Sequence, residues 1–250
     1  MSVERVLLVT GGSRGIGAAT ARLAASRGYA VCINYRQDHR AAGEIVSHIE
    51  CAGGRAAAVQ ADVSIEAEVV GLFQAVDRDL GPLRALVNNA GMLERQGRVE
   101  DMDAGRIGRV FATNVTGAFI CAREAVKRMS TRHGGAGGAI VNVSSRAAAL
   151  GSAGEYVDYA AAKAAVDTLT IGLAREVADE GVRVNAVRAG VILTGIHASG
   201  GEPGRADRIA PSIPMKRAGQ VEEVARAILW LLSDEASYCT GAILDVSGGR

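Results

Sequence analysis

The sequence has no excess of charge of either sign: 28 Lys and Arg stand against 27 Asp and Glu, a formal net charge of +1, and no basic run interrupts the mixture. Such a balance offers no electrostatic footprint for nucleic acid or an anionic membrane surface, so neither is expected as a partner. No apolar stretch reaches the length of a bilayer span. The N-terminal MSVERVLLVTGG runs from a short apolar segment straight into glycines. It lacks the basic region, longer apolar stretch and cleavage site of a secretory signal. Cys32, Cys51, Cys121 and Cys239 are scattered without a CxxC pair, so they read as reduced thiols that pack as small hydrophobes. The four histidines are equally dispersed, and no metal site is expected. These absences point to a cytoplasmic protein whose partner is a small-molecule substrate.

What the sequence does have is alternation. Strand-like apolar runs at Val6–Val9, Ala30–Asn34, Ala56–Gln60, Ala85–Asn88, Ala139–Val143, Val182–Val187 and Ala242–Val246 are separated by helical spacing at Gly15–Arg27, Arg40–Ala52, Glu66–Leu80, Asp103–Arg132, Asp158–Glu180 and Val221–Ser233. Several runs are continuous, as strands buried on both faces of a parallel sheet must be. The expected architecture is a single α/β domain over 1–250. It is a Rossmann-type, doubly wound, parallel seven-stranded sheet with helices on both faces. The longest non-periodic stretch, Gly190–Met215, follows the sixth strand at the carboxyl edge of the sheet, where ligands bind, and reads as a substrate lid.

Directly after the first strand comes Thr10-Gly11-Gly12-Ser13-Arg14-Gly15-Ile16-Gly17. Gly11 permits the tight turn, Gly15 lets the backbone approach a diphosphate, and Gly17 seats the following helix against the sheet. The helix start then offers unpaired N–H groups to an anion. The spacing is GxxxGxG, and the chain resembles the short-chain dehydrogenase/reductase family along essentially its whole length. TGGSRGIG at 10–17, ADV at 61–63, NNAG at 88–91, Asn114, Ser144–Ser145, Tyr159–Lys163 and a glycine turn at 190 appear in order. The resemblance implies a nicotinamide dinucleotide held by Gly11, Ser13, Arg14, Gly15, Ile16 and Gly17. It further implies Asp62 and Val63 at the adenine, Asn89, Ala90 and Gly91 at the ribose side, and Ile192 and Thr194 at the carboxamide. At the end of the second strand stands Asn34-Tyr35-Arg36, with no carboxylate before Asp38. A carboxylate there would repel a 2′-phosphate, whereas Arg36 and Arg14 suit one, so NADP(H) is expected over NAD(H).

Two tyrosines lie in EYVDYAAAK, but only Tyr159 has a lysine four residues on, on the same helix face. Reduction of a carbonyl needs a proton donor as hydride arrives, and an ammonium beside a phenol lowers its pKa towards neutrality. Tyr159 is therefore the expected acid–base group. Lys163 is expected to lower its pKa and bind the nicotinamide ribose. A hydroxyl at the end of the fifth strand can stabilise the substrate oxygen. The family pattern selects Ser145, and Ser144 stays open because the spacing from Ser145 to Tyr159 is about one residue longer than is common in the family. By the same resemblance Asn114 holds a proton-relay water beside the lysine. Arg188-Ala189-Gly190 replaces the family's Pro-Gly, and loses the rigidity proline gives. His197 reads as a solvent-exposed lid residue.

The expected activity is hydride transfer between nicotinamide and a ketone or secondary alcohol. The chain is similar to glucose 1-dehydrogenase-like and 3-oxoacyl-carrier-protein reductase-like members. The polar lid HASGGEPGRADRIAPS favours a small polar, sugar-like substrate. Arg205, Arg208, Lys216 and Arg217 could instead form a docking patch for an acidic acyl carrier. A non-catalytic NADP(H)-binding sensor is the alternative from another class. The apolar helices at Asp103–Arg132 and Asp158–Glu180 and the C-terminal ILWLLSDEASYCTGAILDVSGG resemble surfaces through which the family forms homotetramers.

Overall fold

The structure, a computed structural model, describes residues 5–250. Its sheet has seven strands, β1 (Arg5–Val9), β2 (Tyr29–Tyr35), β3 (Ala56–Gln60), β4 (Leu83–Asn88), β5 (Gly138–Ser145), β6 (Val182–Ala189) and β7 (Ile243–Val246), in the order β3-β2-β1-β4-β5-β6-β7. All neighbouring pairs are parallel. The crossover helices are α1 (Gly15–Ala25), α2 (His39–Cys51), α3 (Glu66–Asp79), α4 (Ala104–Phe111), α5 (Gly117–Met129), the short α6 (Ala147–Leu150), and α7 (Val157–Glu176). After β6 come the one-turn helices α8 (Ile196–Ser199) and α9 (Arg205–Ile209), then α10 (Val221–Leu232).

β1, β2, β4, β5 and β6 are largely buried because helices cover both sides. One core packs α1, α2 and α10 on the sheet through Ala21, Ile49, Val224 and Ile228. The other packs α3 and α5 through Leu72, Phe73, Cys121 and Met129. The chain reverses its winding between β1 and β4. Their carboxyl ends therefore part, opening the crevice where such sheets bind ligands.

The segment expected as one helix over Asp103–Arg132 divides. Between α4 and α5 lies a π-helical turn, Ala112–Thr116. Such single-turn bulges shift the helical register locally and favour functional sites. Asn114 sits inside it, buried, its amide donating to the carbonyls of Met92 (3.0 Å) and Val110 (2.9 Å) and accepting from Met92 N–H (3.2 Å). Ala189 does not loosen the end of β6. It pairs with Ser145 on one side and Val246 on the other, and its carbonyl accepts from Arg146 N–H at 2.9 Å. Two flanking ladders supply the order that proline would supply through φ. The stretch Gly190–Met215 carries α8, α9 and a 3-10 turn at Ala210–Ser212. Among the described residues no helix is long and apolar enough to cross a membrane.

Candidate active site

The glycine turn is built as its spacing requires. Gly11 and Gly15 adopt φ of +60° and +55°, which only glycine takes without strain. A Cβ on Gly17 would come within 2.5 Å of the Gly11 carbonyl and 2.6 Å of Asn89 Nδ2. Glycine there is what lets α1 press against the turn. The turn is clamped to the end of β4: Thr10 Oγ1 accepts from the N–H groups of Asn89 and Ala90, both at 3.0 Å. Asn89 Nδ2 in return donates to the carbonyls of Thr10 and Gly11, both at 2.9 Å. Thr10 was not among the expected site residues, since a lone threonine ending a strand carries no spacing signal. α1 has no side-chain N-cap and no acidic residue in its first turn, so its N–H groups and positive end stay available to an anion.

Over this turn lies a cavity of about 290 Å³, whose walls bring together Gly11, Ser13, Arg14, Gly15, Ile16, Asn34, Tyr35, Arg36, Asp62, Val63, Asn89, Ala90, Gly91 and Thr194. Not all of these side chains are free to face a ligand. Asn34 is buried, and its amide is committed to Gly11 N–H (3.2 Å) and the Ala61 carbonyl (2.9 Å). The Tyr35 hydroxyl pairs with His39 Nδ1 at 2.7 Å. Asp38 caps α2 by accepting from Ala41 N–H at 2.9 Å. Arg36 is half-exposed with Asp62 3.7 Å away. Arg14 is exposed, with no ion pair or hydrogen-bonded partner for its guanidinium among the described residues. The distal end of the cleft carries two arginines and two aspartates; Asp62 lies near Arg36 and Asp38 is used as the α2 cap, which leaves Arg14 as the unpaired guanidinium at the rim. Free N–H groups, glycine-only approach and basic rim together fit a phosphorylated dinucleotide.

A second cavity, of about 130 Å³, shares Ile16, Asn89, Gly91, Thr194 and Ile196 with the first and adds Ser144, Ser145, Tyr156, Tyr159, Lys163, Ile192, His197 and Arg205. Tyr159 and Lys163 enter it from successive turns of α7. Asp158, buried beside them, accepts from Arg106 Nε of α4 at 2.8 Å and from Tyr159 N–H at 2.9 Å. This ties the start of α7 to α4. Lys163 Nζ donates to the Val143 carbonyl at 2.8 Å and lies 5.6 Å from the centre of the Tyr159 ring. Gly91 crosses immediately in front of it. A Cβ there would meet Asn114 Oδ1 at 2.9 Å and Lys163 Nζ at 3.5 Å, so Asn114 is brought next to the lysine although it does not line either cavity. Ser144 is buried and donates to the Lys163 carbonyl at 3.3 Å, whereas Ser145, half-buried, accepts from Ala147 N–H at 3.1 Å and lines the cavity with Tyr159.

Burial dominates the electrostatics of the pair. Burial pushes the Tyr159 phenol up to about 12, against smaller downward pulls from the Ser145 hydroxyl and the Arg205 charge. Burial also brings the Lys163 ammonium down to about 8, with Asp167 acting the other way. The ammonium faces the ring and the Val143 carbonyl, and desolvation outweighs attraction.

The 190–215 segment brings a correction. His197 is only 7% exposed, and its Nε2 bonds the Ile192 carbonyl at 2.9 Å. Burial holds its pKa below the ordinary range. The lid is fastened to the residues just before α7. Tyr156 donates through its hydroxyl to the Gly200 carbonyl at 3.1 Å, the Arg205 guanidinium lies 5.5 Å from the Tyr156 ring centre, and Glu155 pairs with both Arg205 and Arg208. A larger cavity of about 460 Å³ by Arg146, Met215 and Arg250 contains none of the acid–base groups.

The model of a family described as enoyl-(acyl carrier protein) reductase matches residues 11–250. An uncharacterised Escherichia coli oxidoreductase, YgfF, is 61% identical over 98% of this chain and 99% of its own. A 3-oxoacyl-[acyl-carrier-protein] reductase of Synechocystis is 40% identical over 98% of this chain and 96% of its own. A dehydrogenase/reductase structure from Sinorhizobium meliloti superimposes with a TM-score of 0.91 at 32% identity, covering 99% of this chain and 96% of that one. The chain belongs to the short-chain dehydrogenase/reductase family, whose members bind NAD(P), and is an oxidoreductase acting on CH–OH groups.

Proposed function

We propose that the protein is an NADP(H)-dependent reductase of a small polar ketone, running the reverse oxidation of the secondary alcohol on the same groups. The carrying observation is the shared wall. The cavity that holds Ser145, Tyr159 and Lys163 opens past Ile16, Asn89, Gly91 and Thr194 onto the cleft over the glycine turn. A carbonyl carbon can therefore lie between the dinucleotide cleft and the phenol. The glycine turn and α1 N-terminus would hold the diphosphate, with Arg14 and Arg36 at the 2′-phosphate, Asp62 and Val63 at the adenine, and Ile192 and Thr194 at the carboxamide.

When bound, the nicotinamide supplies the hydride for reduction and takes it up in oxidation. Tyr159 hands its phenolic proton to the oxygen that gains charge. With its pKa held up by burial it is fully protonated at neutral pH, the state reduction requires. Ser145 donates a hydrogen bond to the same oxygen. Lys163 is held by the Val143 carbonyl beside Gly91, where it can reach a ribose hydroxyl. Asn114, next to it, supports the proton path. The 190–215 segment acts as the lid of a single domain spanning 1–250.

The acyl-carrier reading loses support from the state of the candidate docking patch. Arg205 and Arg208 are paired with Glu155, Arg208 also with Glu202, and Arg217 with Glu223, while Lys216 donates to the Pro211 carbonyl. With three of these four cations already matched by carboxylates, the patch attracts an acidic carrier poorly. Assembly as a homotetramer is part of the same proposal.

The test is a panel of ketones and alcohols assayed with NADPH and NADP⁺, with Tyr159→Phe as control. Turnover is expected to fall by about 10²–10⁴-fold in the variant, the range of a lost general acid, while NADPH still binds. Retained turnover in Tyr159→Phe overturns the assignment. Dinucleotide binding without turnover of any substrate would make the protein a sensor.

A further inference from the structure

Tyr159 is the third residue of α7, so its backbone N–H is one of the first-turn donors that a helix leaves without an acceptor of its own. Tyr156, which precedes the helix, supplies no side-chain cap; its hydroxyl donates to the Gly200 carbonyl instead. Asp158 takes over the part. Its Oδ1 accepts from Tyr159 N–H at 2.9 Å, which also sets a carboxylate at the positive end of the helix.

The same carboxylate is held from outside the helix. Arg106 of α4 donates from Nε to Asp158 Oδ2 at 2.8 Å and from Nη2 to Oδ1 at 3.4 Å, and the two side chains are only 11% and 3% exposed. Paired bonds from a planar guanidinium fix direction as well as distance. The loop after β4 closes over this group. A Cβ on Gly97 would lie 3.3 Å from Arg106 Nη1, and Gly97 N–H donates to the Glu155 carbonyl, just ahead of α7, at 3.0 Å. α4 also runs directly into the π-helical turn that sets Asn114 beside Lys163. One helix thus reaches both members of the acid–base pair.

Neither Arg106 nor Asp158 lines the dinucleotide cleft or the substrate cavity. Stability does not account for the pair either, since a buried ion pair is often no more stable than packed apolar side chains of the same volume. What it supplies is one fixed arrangement. We infer that Arg106 is a positioning residue for the reaction: through Asp158 it fixes the backbone of Tyr159, and with it the placement of the phenol against the substrate carbonyl. Placement is worth a great deal, because a shift of about 1 Å in a reacting group can cost about 10²-fold in rate. This rests on the reductase reading above and adds to it a residue outside both cavities.

The test compares Arg106→Gln with Arg109→Gln, a control on the same helix whose ion pair with Glu94 is exposed. Residue-resolved amide exchange reads the Tyr159 N–H, NADPH titration counts intact sites, and ketone reduction gives kcat for each such site. In Arg106→Gln the Tyr159 amide should exchange about tenfold or more faster than in the parent, as a loosened hydrogen bond allows. kcat should fall about 10–100-fold, with the NADPH Kd within about twofold of the parent. Arg109→Gln should stay within about twofold in all three. If Arg106→Gln leaves the buried carboxylate unpaired and does not fold, two variants replace it. Arg106→Lys keeps the charge without the fork and should show a smaller loss, and Arg106→Gln with Asp158→Asn, which removes both charges, should show the full one. The inference is overturned if kcat per site is unchanged in the folded variants, if the Tyr159 amide exchanges as in the parent, or if Arg109→Gln loses as much. Faster exchange at Tyr159 in a protein that turns over no ketone leaves the clamp standing and removes the reductase reading. Ketone turnover that Arg106→Gln leaves intact does the reverse.

Discussion

The position of the Lys163 ammonium makes the pH profile a test of the acid–base assignment. The phenol of Tyr159, held near 12, keeps its proton across the working range, whereas Lys163, brought down to about 8, loses its own within it. For ketone reduction kcat/KM, which reports groups of the free enzyme, should be flat from about pH 6 to 7.5 and fall as pH rises through about 8. In Lys163→Arg the guanidinium stays charged throughout, so the residual activity should lose that alkaline limb. If the limb persists in the variant, another group titrates there. At the far end of the cleft Arg36→Ala should weaken NADPH binding about tenfold and leave NADH binding within about twofold, since a half-exposed guanidinium delivers only part of a charge-assisted hydrogen bond. Equal losses for both dinucleotides would show that Arg36 does not meet the 2′-phosphate. These residues were visible in the sequence because each sits at a fixed offset from a strand end or a partner four residues away. Thr10, His197 and Arg205 were not visible in that way. The Thr10 and Arg205 contacts run across 79 and 50 residues, and the His197 contact, only five residues long, depends on how the aperiodic 190–215 segment folds.

At the scale of elements, the closeness of α1 to the sheet is the feature on which the dinucleotide cleft depends. Gly17→Ala would drive a methyl group into the Gly11 carbonyl, Asn89 Nδ2 and the Gly12 Cα, 2.5–3.0 Å away. Two of these are backbone atoms and cannot swing aside, so the helix must move. A cost of about 1–3 kcal/mol is expected for such overpacking, which lowers Tm by roughly 3–10 °C in a domain of this size, with NADPH binding lost more than stability. Gly43→Ala in α2 is the control. Nothing lies within 4 Å of the added methyl, and the helical backbone should gain about 0.5–1 kcal/mol. A Gly17→Ala protein that melts and binds like the parent would show that α1 need not press on the turn. All seven strands and the six long helical segments were legible because continuous apolar runs and 3.6-residue spacing are local signals. Three features were not. The π-helical turn at Ala112–Thr116 interrupts an unbroken helical pattern. α8 and α9 are single turns too short to show a period. The Asn88–Asn142–Thr170 chain of hydrogen bonds (3.0 and 2.9 Å) that joins β4, β5 and α7 is long-range.

For the whole molecule, two sets of exposed apolar side chains stand on long helices or on the sheet edge. Ile107, Phe119 and Ile171 stand on α4, α5 and α7, while Trp230 and Leu244 stand on α10 and on β7, the open edge of the sheet. β7 has four residues, none of them fully buried, in contrast to β6 beside it. An edge strand left this bare invites pairing or cover by another chain. A closed tetramer of dihedral symmetry needs two different self-complementary patches on each subunit, and the two sets supply that number. Light scattering on the purified protein should therefore give four times the chain mass of 25.7 kDa. Phe119→Glu and Leu244→Glu, each at an exposed position of its own set, should each halve that mass by removing one interface. The folds should remain intact, because exposed substitutions rarely change stability by more than about 0.5 kcal/mol. The double variant should be monomeric. A parent protein that is monomeric at micromolar concentration, or single variants that remain tetrameric, would place the interfaces elsewhere or remove them. Because the 190–215 segment is fastened to the residues just before α7 within one chain through Glu155, Tyr156 and Arg205, the dimers should retain turnover. A dimer without activity would show that the neighbouring subunit helps hold the lid.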